Sequence, residues 1–523
     1  MSPYQAGPTA SALLLRALQR HPGRTAFRWD AGELSYRATA ETIGRMQAVF
    51  AAAGLGPGTR VAILAANQVE AWCAGQAAIA SGMVTTALHQ MGSLDDHLFQ
   101  LQDFSATVLV CDAKGFGERA QALAERHPGL SHVYTLEDVK GSADVGTSLA
   151  TATARIGHAS MRDLSQPGAL AVVNYTGGTT GRSKGAARTQ AGLAAMVIEK
   201  LSDFDLPATP HYLAAAPMTH VAGTVVQPTL MRGGTMRLLS GFNPGRVLEL
   251  IAKERINLTL LVPTMIYTLL DHPELDRTDL SSLHTLLYGA SPMSPTRLVE
   301  GLERIGPVFA QLYGQTEGYP VSFLQRADHD LAQPDLFSSC GLPTSGSQVV
   351  LLDDDDQPVA PGGVGELCVR SRQVMEGYLN QPELTAATLK GGWLHTGDMA
   401  RADDRGYLFI VDRKKDMIVS GGFNVYPRDV EDVISSHPAV AMVAVIGVPD
   451  AKWGEAVTAM VVCKPGQQVP GELLIDMVRD KKGKVYAPKQ VQFVPDLPRT
   501  AVGKIDKKVL RAPFWAGQGR NVG

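Results

Sequence analysis

Apolar residues along this chain recur with two different spacings. Between residues 13 and 110, segments with apolar residues at helical spacing alternate with short apolar runs such as RVAILAA and ATVLVCD. Helical spacing predicts amphipathic helices, and short apolar runs bounded by turn residues predict strands. The alternation continues through HYLAAAP, NLTLLVP and LHTLLYGA as far as residue 290. We therefore predict βα units that build a large α/β body.

The pattern changes beyond residue 340. In VVLLDDDDQPVAPGGVGELCVRS, turn signals flank short alternating segments, which predicts a β-rich, barrel-like subdomain. The aspartates at 353–356 are interpreted as a solvated turn rather than a metal site, because adjacent carboxylates point in different directions. The charged segment VDRKKDMIV then precedes a new cycle of helix, strand, strand and helix. We predict a large N-terminal domain over residues 1–412, a hinge over 413–416 and a small, mobile α+β C-terminal domain over 417–523.

Composition and charge narrow the class of protein. A chain of 523 residues exceeds the size that one hydrophobic core normally fills. Its net charge of −3 excludes the basic surface of a nucleic-acid binder. The five cysteines are widely spread, with no C-x-x-C pair and no histidine at metal-ligand spacing, which predicts buried thiols rather than disulfides or a zinc site. No signal peptide or membrane-spanning run is evident, so we expect a cytoplasmic protein.

The strongest local motif is the run YTGGTTGRSKG, from Tyr175 to Gly185, which directly follows an apolar run. Its glycines let the backbone approach an anion, its threonines add hydroxyl donors, and Lys184 adds positive charge, as a polyphosphate requires. Because Ser183 rather than glycine precedes Lys184, the loop is not a Walker A motif. A flexible surface loop is the alternative interpretation of this segment taken alone.

With this loop the chain resembles the adenylate-forming superfamily of acyl-CoA synthetases, peptide-synthetase adenylation domains and firefly-type luciferases. Motifs in the family's order can be followed from residue 34 to residue 511. The loop departs from the family pattern T-S-G-T-T-G-x-P-K-G at Gly177 and Ser183, although both changes keep the backbone donors. The resemblance implies that ATP phosphates are bound by Thr176, Gly177, Gly178, Thr179, Thr180, Gly181 and Lys184.

Three motifs carry the resemblance through the rest of the body. PMTHVAG is similar to P-L-F-H-x-x-G, whose histidine, here His220, lies beside the substrate carboxylate. Val221 stands where amino-acid-activating relatives have an aspartate, which argues against an α-amino acid. YGASP and QLYGQTE match the segments around the adenine and the reacting centre, which implies an α-phosphate contact for Thr316 and a Mg²⁺ ligand in Glu317. The implied nucleotide contacts are Gly289, Ala290, Ser291, Gln311, Tyr313 and Gly314.

The remaining motifs lie towards the C-terminus. WLHTGD resembles W-x-x-T-G-D, which implies that Asp398 binds the ribose, with Arg413 as an additional cationic donor. LPRTAVGKI matches P-x-T-x-x-G-K, so Lys504 is the expected adenylation lysine, and Lys415 matches the family's hinge residue. SGGFNVYP resembles the loop that lines the tunnel for the pantetheine arm of coenzyme A, represented here by Gly421 and Gly422.

The resemblance implies an acid–thiol ligase that uses ATP and Mg²⁺ to make an acyl-adenylate and passes the acyl group to coenzyme A. The expected acyl pocket is apolar, with several small residues and no obvious cation, which suits a fatty, alicyclic or aryl acid. Two alternatives stay open, namely transfer to a carrier protein or partner synthetase, and a luciferase-like oxygenase. Oligomeric state stays open too, a homodimer included. The expected pocket residues are Met218, Val221, Tyr288, Gly289, Gly314, Gly318 and Tyr319.

Overall fold

Strands and helices alternate through the first two hundred residues of the computed structural model, as the sequence pattern predicts. The structure describes residues 7–138, 145–176, 183–414, 416–421, 423–450, 452–499 and 504–516. The helices of this first part are α1 (Ala10–Arg20), α2 (Tyr36–Ala52), α3 (Val69–Ala80), α4 (Leu94–Phe104), α5 (Ala113–Arg126), α6 (Leu149–Ala154) and α7 (Gln190–Asp203). Its strands are β1 (Thr25–Trp29), β2 (Gly32–Ser35), β3 (Arg60–Leu64), β4 (Val84–Ala87), β5 (Val108–Cys111), β6 (His132–Thr135), β7 (Thr147–Ser148), β8 (Leu170–Thr176) and β9 (Lys184–Thr189).

The middle of the chain continues the alternation and then becomes rich in strands. Its helices are α8 (Val226–Met231), α9 (Pro244–Glu254), α10 (Pro263–Leu270), α11 (Pro295–Arg304) and α12 (Pro382–Thr388). Its strands are β10 (His211–Ala214), β11 (Thr235–Leu238), β12 (Leu258–Leu261), β13 (Thr285–Gly289), β14 (Phe309–Gln315), β15 (Gly318–Leu324), β16 (Leu342–Pro343), β17 (Gln348–Leu352), β18 (Gly365–Arg370), β19 (Gly377–Tyr378), β20 (Leu394–Ala402) and β21 (Leu408–Arg413).

The last hundred residues form a smaller α+β unit with a hydrophobic core of its own, which includes Ile418, Val430, Val457 and Leu474. Its strands follow the order β23-β22-β25-β24, and β26 pairs with β25. The elements are β22 (Ile418–Ser420), β23 (Phe423–Val425), α13 (Pro427–Ser435), β24 (Val440–Asp450), β25 (Gly454–Cys463), α14 (Gly471–Lys482), β26 (Gln490–Phe493) and α15 (Lys507–Trp515).

Two large mixed sheets form the N-terminal body. One has eight strands in the order β19-β9-β8-β4-β3-β5-β6-β7, and the other has nine in the order β16-β15-β14-β13-β12-β10-β11-β1-β2. Buried side chains from both sheets and from helices α1 to α3 belong to one hydrophobic cluster, with Phe27, Phe50, Val61, Ala77 and Tyr212 among its members. The predicted α/β class is confirmed, with a large N-terminal part and a smaller C-terminal part.

The β-rich segment after residue 340 forms an antiparallel sheet in the order β17-β18-β20-β21. Residues 353–356 make an exposed turn after β17, as predicted, in which Asp353 Oδ1 accepts from the Asp355 and Gln357 amides. The chain leaves this sheet after Arg413 and enters the C-terminal sheet at Ile418. Lys415 lies outside the described residues, and the exact domain limits stay a prediction.

Several predicted site loops lie at one edge of the nine-stranded sheet. Strands β10, β12, β13 and β14 are neighbours and run parallel, so their carboxyl ends meet at the same edge. The motif around His220 follows β10, Ala290 follows β13 and Thr316 follows β14. Parallel pairing therefore brings together side chains that are about a hundred residues apart in sequence, as ligand sites in open α/β sheets require.

Candidate active site

Lys504 lies among the predicted nucleotide-binding residues although it belongs to the C-terminal unit. Its pKa is lowered from 10.5 to about 8, first by burial and then by the positive charge of Arg413, while the carboxylates of Asp398 and Glu317 oppose this shift. The same lysine also helps to lower the pKa of His220. The structure thus brings the C-terminal lysine together with four predicted residues at one site, namely Arg413, Asp398, Glu317 and His220.

The carboxylate of Asp398 is buried and is held from two sides. The Tyr313 hydroxyl donates to its Oδ2 at 2.6 Å, and Arg413 Nε lies 3.2 Å from its Oδ1. Asp398 in turn raises the pKa of Arg413, which is half-exposed, so solvent weakens this pair. A carboxylate fixed in this way presents directed acceptors to a diol such as a ribose.

Glu317 lies buried between an aromatic hydroxyl and a buried cation. The Tyr378 hydroxyl donates to Glu317 Oε1 at 2.6 Å, and the Lys184 ammonium lies 5.5 Å from the centroid of the Tyr378 ring. Arg188 is buried, interacts electrostatically with Glu317, and donates to the carbonyl of Thr316 and to that of Gln373. Glu317, the predicted Mg²⁺ ligand, is thus a fixed carboxylate that shares a neighbour, Tyr378, with the phosphate-loop lysine, which suits a hard cation that also binds phosphate oxygens.

His220 packs edge-on against a second histidine. The rings of His89 and His220 have centroids 4.8 Å apart at an angle of 82°, and Thr219 Oγ1 lies 2.8 Å from His220 Nδ1. Burial, then His89 and Lys504, lower the pKa of His220 to about 4. His220 is therefore neutral near pH 7 and adds no charge beside a substrate carboxylate.

The predicted adenine segments are closely packed. A side chain at Gly289 would place its Cβ 2.3 Å from the Leu312 carbonyl oxygen, so the neighbouring strand alone requires glycine there. Ala290 has a φ of +66°, a left-handed conformation that is uncommon for alanine and marks a strained turn. Gln311 is buried, and its Oε1 accepts from the Tyr288 hydroxyl at 3.3 Å.

Tyr288 does not line the predicted acyl pocket but lies in the core, contrary to the prediction. Its side chain is 0% exposed, belongs to a hydrophobic cluster that includes Leu286 and Leu298, and packs edge-on against Phe309. Its hydroxyl contacts Gln311 and His329. The tyrosine is therefore a core residue, because it follows the alternation of side chains along β13 rather than the loop that comes after it.

The other predicted pocket residues lie on two neighbouring segments. Met218 and Val221 are half-buried and pack on the main cluster, and Asn67 fixes this segment by accepting from the Met218 amide at 2.8 Å. A Cβ on Gly314 would lie 2.7 Å from the ring of Tyr319, so a side chain there would displace the tyrosine. Gly318 is buried and precedes Tyr319 at the start of β15.

The structure also adds a cation that the sequence did not reveal. Lys200 is fully buried, its ammonium lies 4.6 Å from the centroid of the Tyr319 ring, and burial holds its pKa well below the ordinary value. The ammonium also donates to the Thr224 carbonyl at 3.4 Å. The predicted acyl pocket therefore has a buried lysine amine in contact with the ring of Tyr319.

Not every predicted residue can be placed. Gly177, Gly178, Thr179, Thr180, Gly181, Lys415 and Gly422 lie outside the described residues. Thr176 and Lys184 flank the phosphate loop and pair with each other across β8 and β9. Ser291 is half-buried after Ala290, and Gly421 lies in the C-terminal unit, where its amide donates to the Trp453 carbonyl at 2.7 Å.

Sequence reasoning missed four side chains that support the site, namely His89, Arg188, Lys200 and Tyr378. None belongs to a motif, and each reaches its partner from a distant part of the chain. Only Arg188 carried a sequence signal, because it stands among small apolar residues directly after the phosphate loop. The structure shows that it is buried, and a buried arginine must have partners.

Comparison with known proteins agrees with this geometry. Residues 14–379 match the family model described as AMP-binding enzyme, and residues 429–504 match the AMP-binding enzyme C-terminal domain. The chain is 43% identical to the medium/long-chain-fatty-acid–CoA ligase FadD8 of Mycobacterium tuberculosis, over 98% of this chain and 91% of that protein. It is 36% identical to feruloyl-CoA synthase of an Amycolatopsis species, over 96% and 98% of the two chains.

A solved structure shows the same architecture. The amide bond synthetase McbA of Marinactinospora thermotolerans superimposes with a TM-score of 0.89 at 33% identity, over 97% of this chain and 100% of that chain. Among the described helices, none is long and apolar enough to cross a membrane. Both parts of the chain and nearly its whole length are accounted for by the comparisons, so the protein belongs to the family of AMP-binding, adenylate-forming enzymes.

Proposed function

We propose that this protein is an acid–thiol ligase that joins a hydrophobic carboxylic acid to AMP and then transfers the acyl group to coenzyme A. The observation that carries the proposal is the position of Lys504, whose charge interacts with Arg413, Asp398 and Glu317. A cation and fixed carboxylates at the end of parallel strands suit a nucleotide whose phosphate is being attacked.

In the first step a carboxylate oxygen of the acid attacks the α-phosphorus of ATP, and pyrophosphate leaves with the electrons of the broken bond. Negative charge grows on the α-phosphate oxygens, where the ammonium of Lys504 and the hydroxyl of Thr316 stabilise it. Asp398 holds the ribose, and the neutral His220 lies beside the acid. Mg²⁺, when bound through Glu317, would neutralise phosphate charge.

In the second step the thiol of coenzyme A attacks the acyl carbonyl and AMP leaves. We propose that the unit over residues 417–523 first rotates about the hinge at 413–416, which withdraws Lys504 and brings Gly421 and Gly422 to the site. The surface beside Gly421 supports this step. Phe423 is 61% exposed in the present orientation, and an exposed apolar side chain of this size is typical of a surface that another part of the molecule covers.

We propose a bulky hydrophobic acid, either fatty, alicyclic or aryl, as the substrate. Met218, Val221 and Tyr319 offer an apolar wall, and Val221 supplies no counter-charge for an α-ammonium group. Relatives named for a medium or long fatty acid and for ferulate match nearly the whole chain.

The proposed reaction consumes ATP, coenzyme A and a carboxylic acid. Since these reactants are cytoplasmic metabolites, we expect the enzyme to act in the cytoplasm.

The test is a panel of carboxylic acids assayed for AMP release and acyl-CoA formation, with and without coenzyme A. We expect a hydrophobic acid to give one AMP and one thioester per turnover, with glycine and alanine inactive. Lys504→Ala is the matched control and should form both products about 10²- to 10³-fold more slowly. A panel without any acid-dependent AMP release would refute the proposal.

The same assay separates the alternative acceptors. The fold also serves amide bond synthesis in the relative McbA, so the fold does not choose the acceptor. Acid-dependent pyrophosphate release without thioester would favour a carrier protein or partner enzyme. Oxygen consumption together with adenylate formation would favour the luciferase-like oxygenase.

A further inference from the structure

Three metal-ligating side chains meet on the antiparallel sheet that carries Asp398. Glu366 and Cys368 lie two residues apart on β18 and therefore face the same side, and the strand register places His395 of β20 opposite Cys368. One ligand atom from each of the three lies within 4.8 Å of the others. Spacing along the sequence could not show this group, because Cys368 and His395 are brought together by strand pairing.

Two distances within this group match those expected between ligands of one metal ion. His395 Nδ1 lies 3.4 Å from Cys368 Sγ and 3.3 Å from Glu366 Oε2. Zinc bonds of about 2.3 Å to sulfur and about 2.0–2.2 Å to nitrogen and oxygen place tetrahedral ligands about 3.3–3.7 Å apart. An N–H···O hydrogen bond usually spans about 2.7–3.2 Å, so the nitrogen–oxygen distance is long for one.

Burial and charge at the group also favour a cation. Cys368 is buried, and the side chains of Glu366 and His395 are each 13% exposed, so the ligands are shielded but not sealed. Lys414 already brings a positive charge there, with its ammonium 3.9 Å from Glu366 Oε2 and 2.7 Å from Asp354. The lysine side chain is 46% exposed, so it can leave for solvent when another cation enters.

We propose that Glu366, Cys368 and His395 bind a divalent transition metal ion of the zinc type, with water in the fourth position. Sulfur, imidazole and carboxylate together select such an ion over Mg²⁺, which prefers oxygen ligands alone. Burial raises the pKa of the Cys368 thiol to about 12, so the entering ion displaces the thiol proton to solvent. Sulfur keeps its electron pair and shares it with the metal.

This site is coupled to Asp398 through one backbone turn. Glu366 Oε1 accepts from the Gly397 amide at 2.9 Å, and the Lys414 amide donates to the Gly397 carbonyl at 2.8 Å. The strand is irregular here, and Gly397 has a φ of +71°. An ion that binds Glu366 and displaces Lys414 would move this turn, and with it Asp398, so the metal inhibits adenylation. This consequence rests on the proposed function, whereas metal binding does not.

Cobalt(II) is the probe for binding, added to the full-length enzyme in excess Mg²⁺. We expect one cobalt per chain with a thiolate-to-cobalt charge-transfer band. Cys368→Ser and His395→Gln should lose this cobalt, and Cys463→Ser, the matched control, should keep it. Glu317→Gln should keep it too, which separates the site from the expected Mg²⁺ site. No thiolate band, or a band that survives Cys368→Ser, would overturn the proposal, and circular dichroism checks that each variant folds.

Inhibition is tested by acid-dependent pyrophosphate release in the presence of zinc, with coenzyme A omitted because its thiol binds zinc. We expect the inhibitory zinc concentration to rise about tenfold or more in Cys368→Ser and His395→Gln. A cobalt band with equal zinc sensitivity in all variants would support the site and refute its coupling to Asp398. Absence of pyrophosphate release without zinc would instead refute the proposed function.

Discussion

Replacing Lys504 tests the division of labour between the two steps. Its pKa falls from 10.5 to about 8, which corresponds to a cost of about 3 kcal/mol for holding the charged ammonium, taken as an upper figure because the side chain is only half-buried. A bound polyphosphate offsets this cost, because it supplies negative charge that Asp398 and Glu317 provide only in part. Lys504→Ala should therefore slow adenylation about 10²- to 10³-fold, the loss typical of one transition-state donor.

The pH dependence of the same step follows from the direction of the shift. Adenylation needs the protonated lysine, so kcat/KM, which reports the free enzyme, should fall above a pH of about 8. Lys504→Arg should remove this fall, since guanidinium stays protonated.

The lowered pKa of Lys504 also affects the stability of the folded state. Below a pH of about 8 the lysine is charged in both the folded and the unfolded state, so the full cost of burying the charge applies. This cost fades as the pH rises to 10.5. Lys504→Met should therefore melt no lower than the native protein near neutral pH.

The assay is stopped-flow pyrophosphate release for adenylation, beside thioester formation from a supplied acyl-adenylate. Lys504→Ala should lose the first and largely keep the second. Equal loss of both steps, or a pH profile that Lys504→Arg leaves unchanged, would show that Lys504 does not act as a charged donor in adenylation alone.

The remaining predictions concern the two fixed carboxylates. Asp398→Asn should raise the KM for ATP about tenfold or more, because it weakens charge-assisted bonds worth about 1.5–3 kcal/mol, and an unchanged KM in steady-state kinetics would contradict the ribose role. Tyr378→Phe removes the 2.6 Å bond to Glu317 and should raise the Mg²⁺ concentration for half-maximal rate a few-fold, with a larger rise in Glu317→Gln. A Mg²⁺ titration in which neither variant differs from the native enzyme would remove Glu317 from the metal site.

Much of the fold could be predicted from the sequence because its signals are local. Short apolar runs such as those at β3 and β12 are strands, as predicted. Apolar residues at helical spacing form the helix α9, where Asn243 caps the first turn and Pro244 stands at the first position. The order of sheet strands was not predictable in this way. Nothing in the segment of β1 indicates that it pairs with β11, some two hundred residues away.

The candidate site divides in the same manner. Asp398, Glu317 and Lys504 lie in motifs, so sequence alone could nominate them. Apart from Arg188, the supporting side chains could not be found, because tertiary packing and not spacing along the sequence fixes their partners. Tyr378 reaches Glu317 from the edge strand β19, and Lys200 reaches Tyr319 from the helix α7.

Tyr288 shows the opposite error, in which motif position misleads. It adjoins the adenine loop in sequence, yet it is the last large side chain of a buried strand and faces the core. The contact between Cys368 and His395 shows a further limit, since two unremarkable positions become a group of ligands only after strands pair.

Isotope exchange measures adenylation by itself, without thioester formation. Labelled pyrophosphate is incubated with ATP, a hydrophobic acid and the enzyme, without coenzyme A, and label in ATP is measured. We expect acid-dependent exchange that is about 10²- to 10³-fold slower in Lys504→Ala, because adenylation is reversible and takes place before the thiol enters. Exchange that requires coenzyme A, or that runs at the native rate in Lys504→Ala, would show that adenylation does not depend on Lys504 in this way.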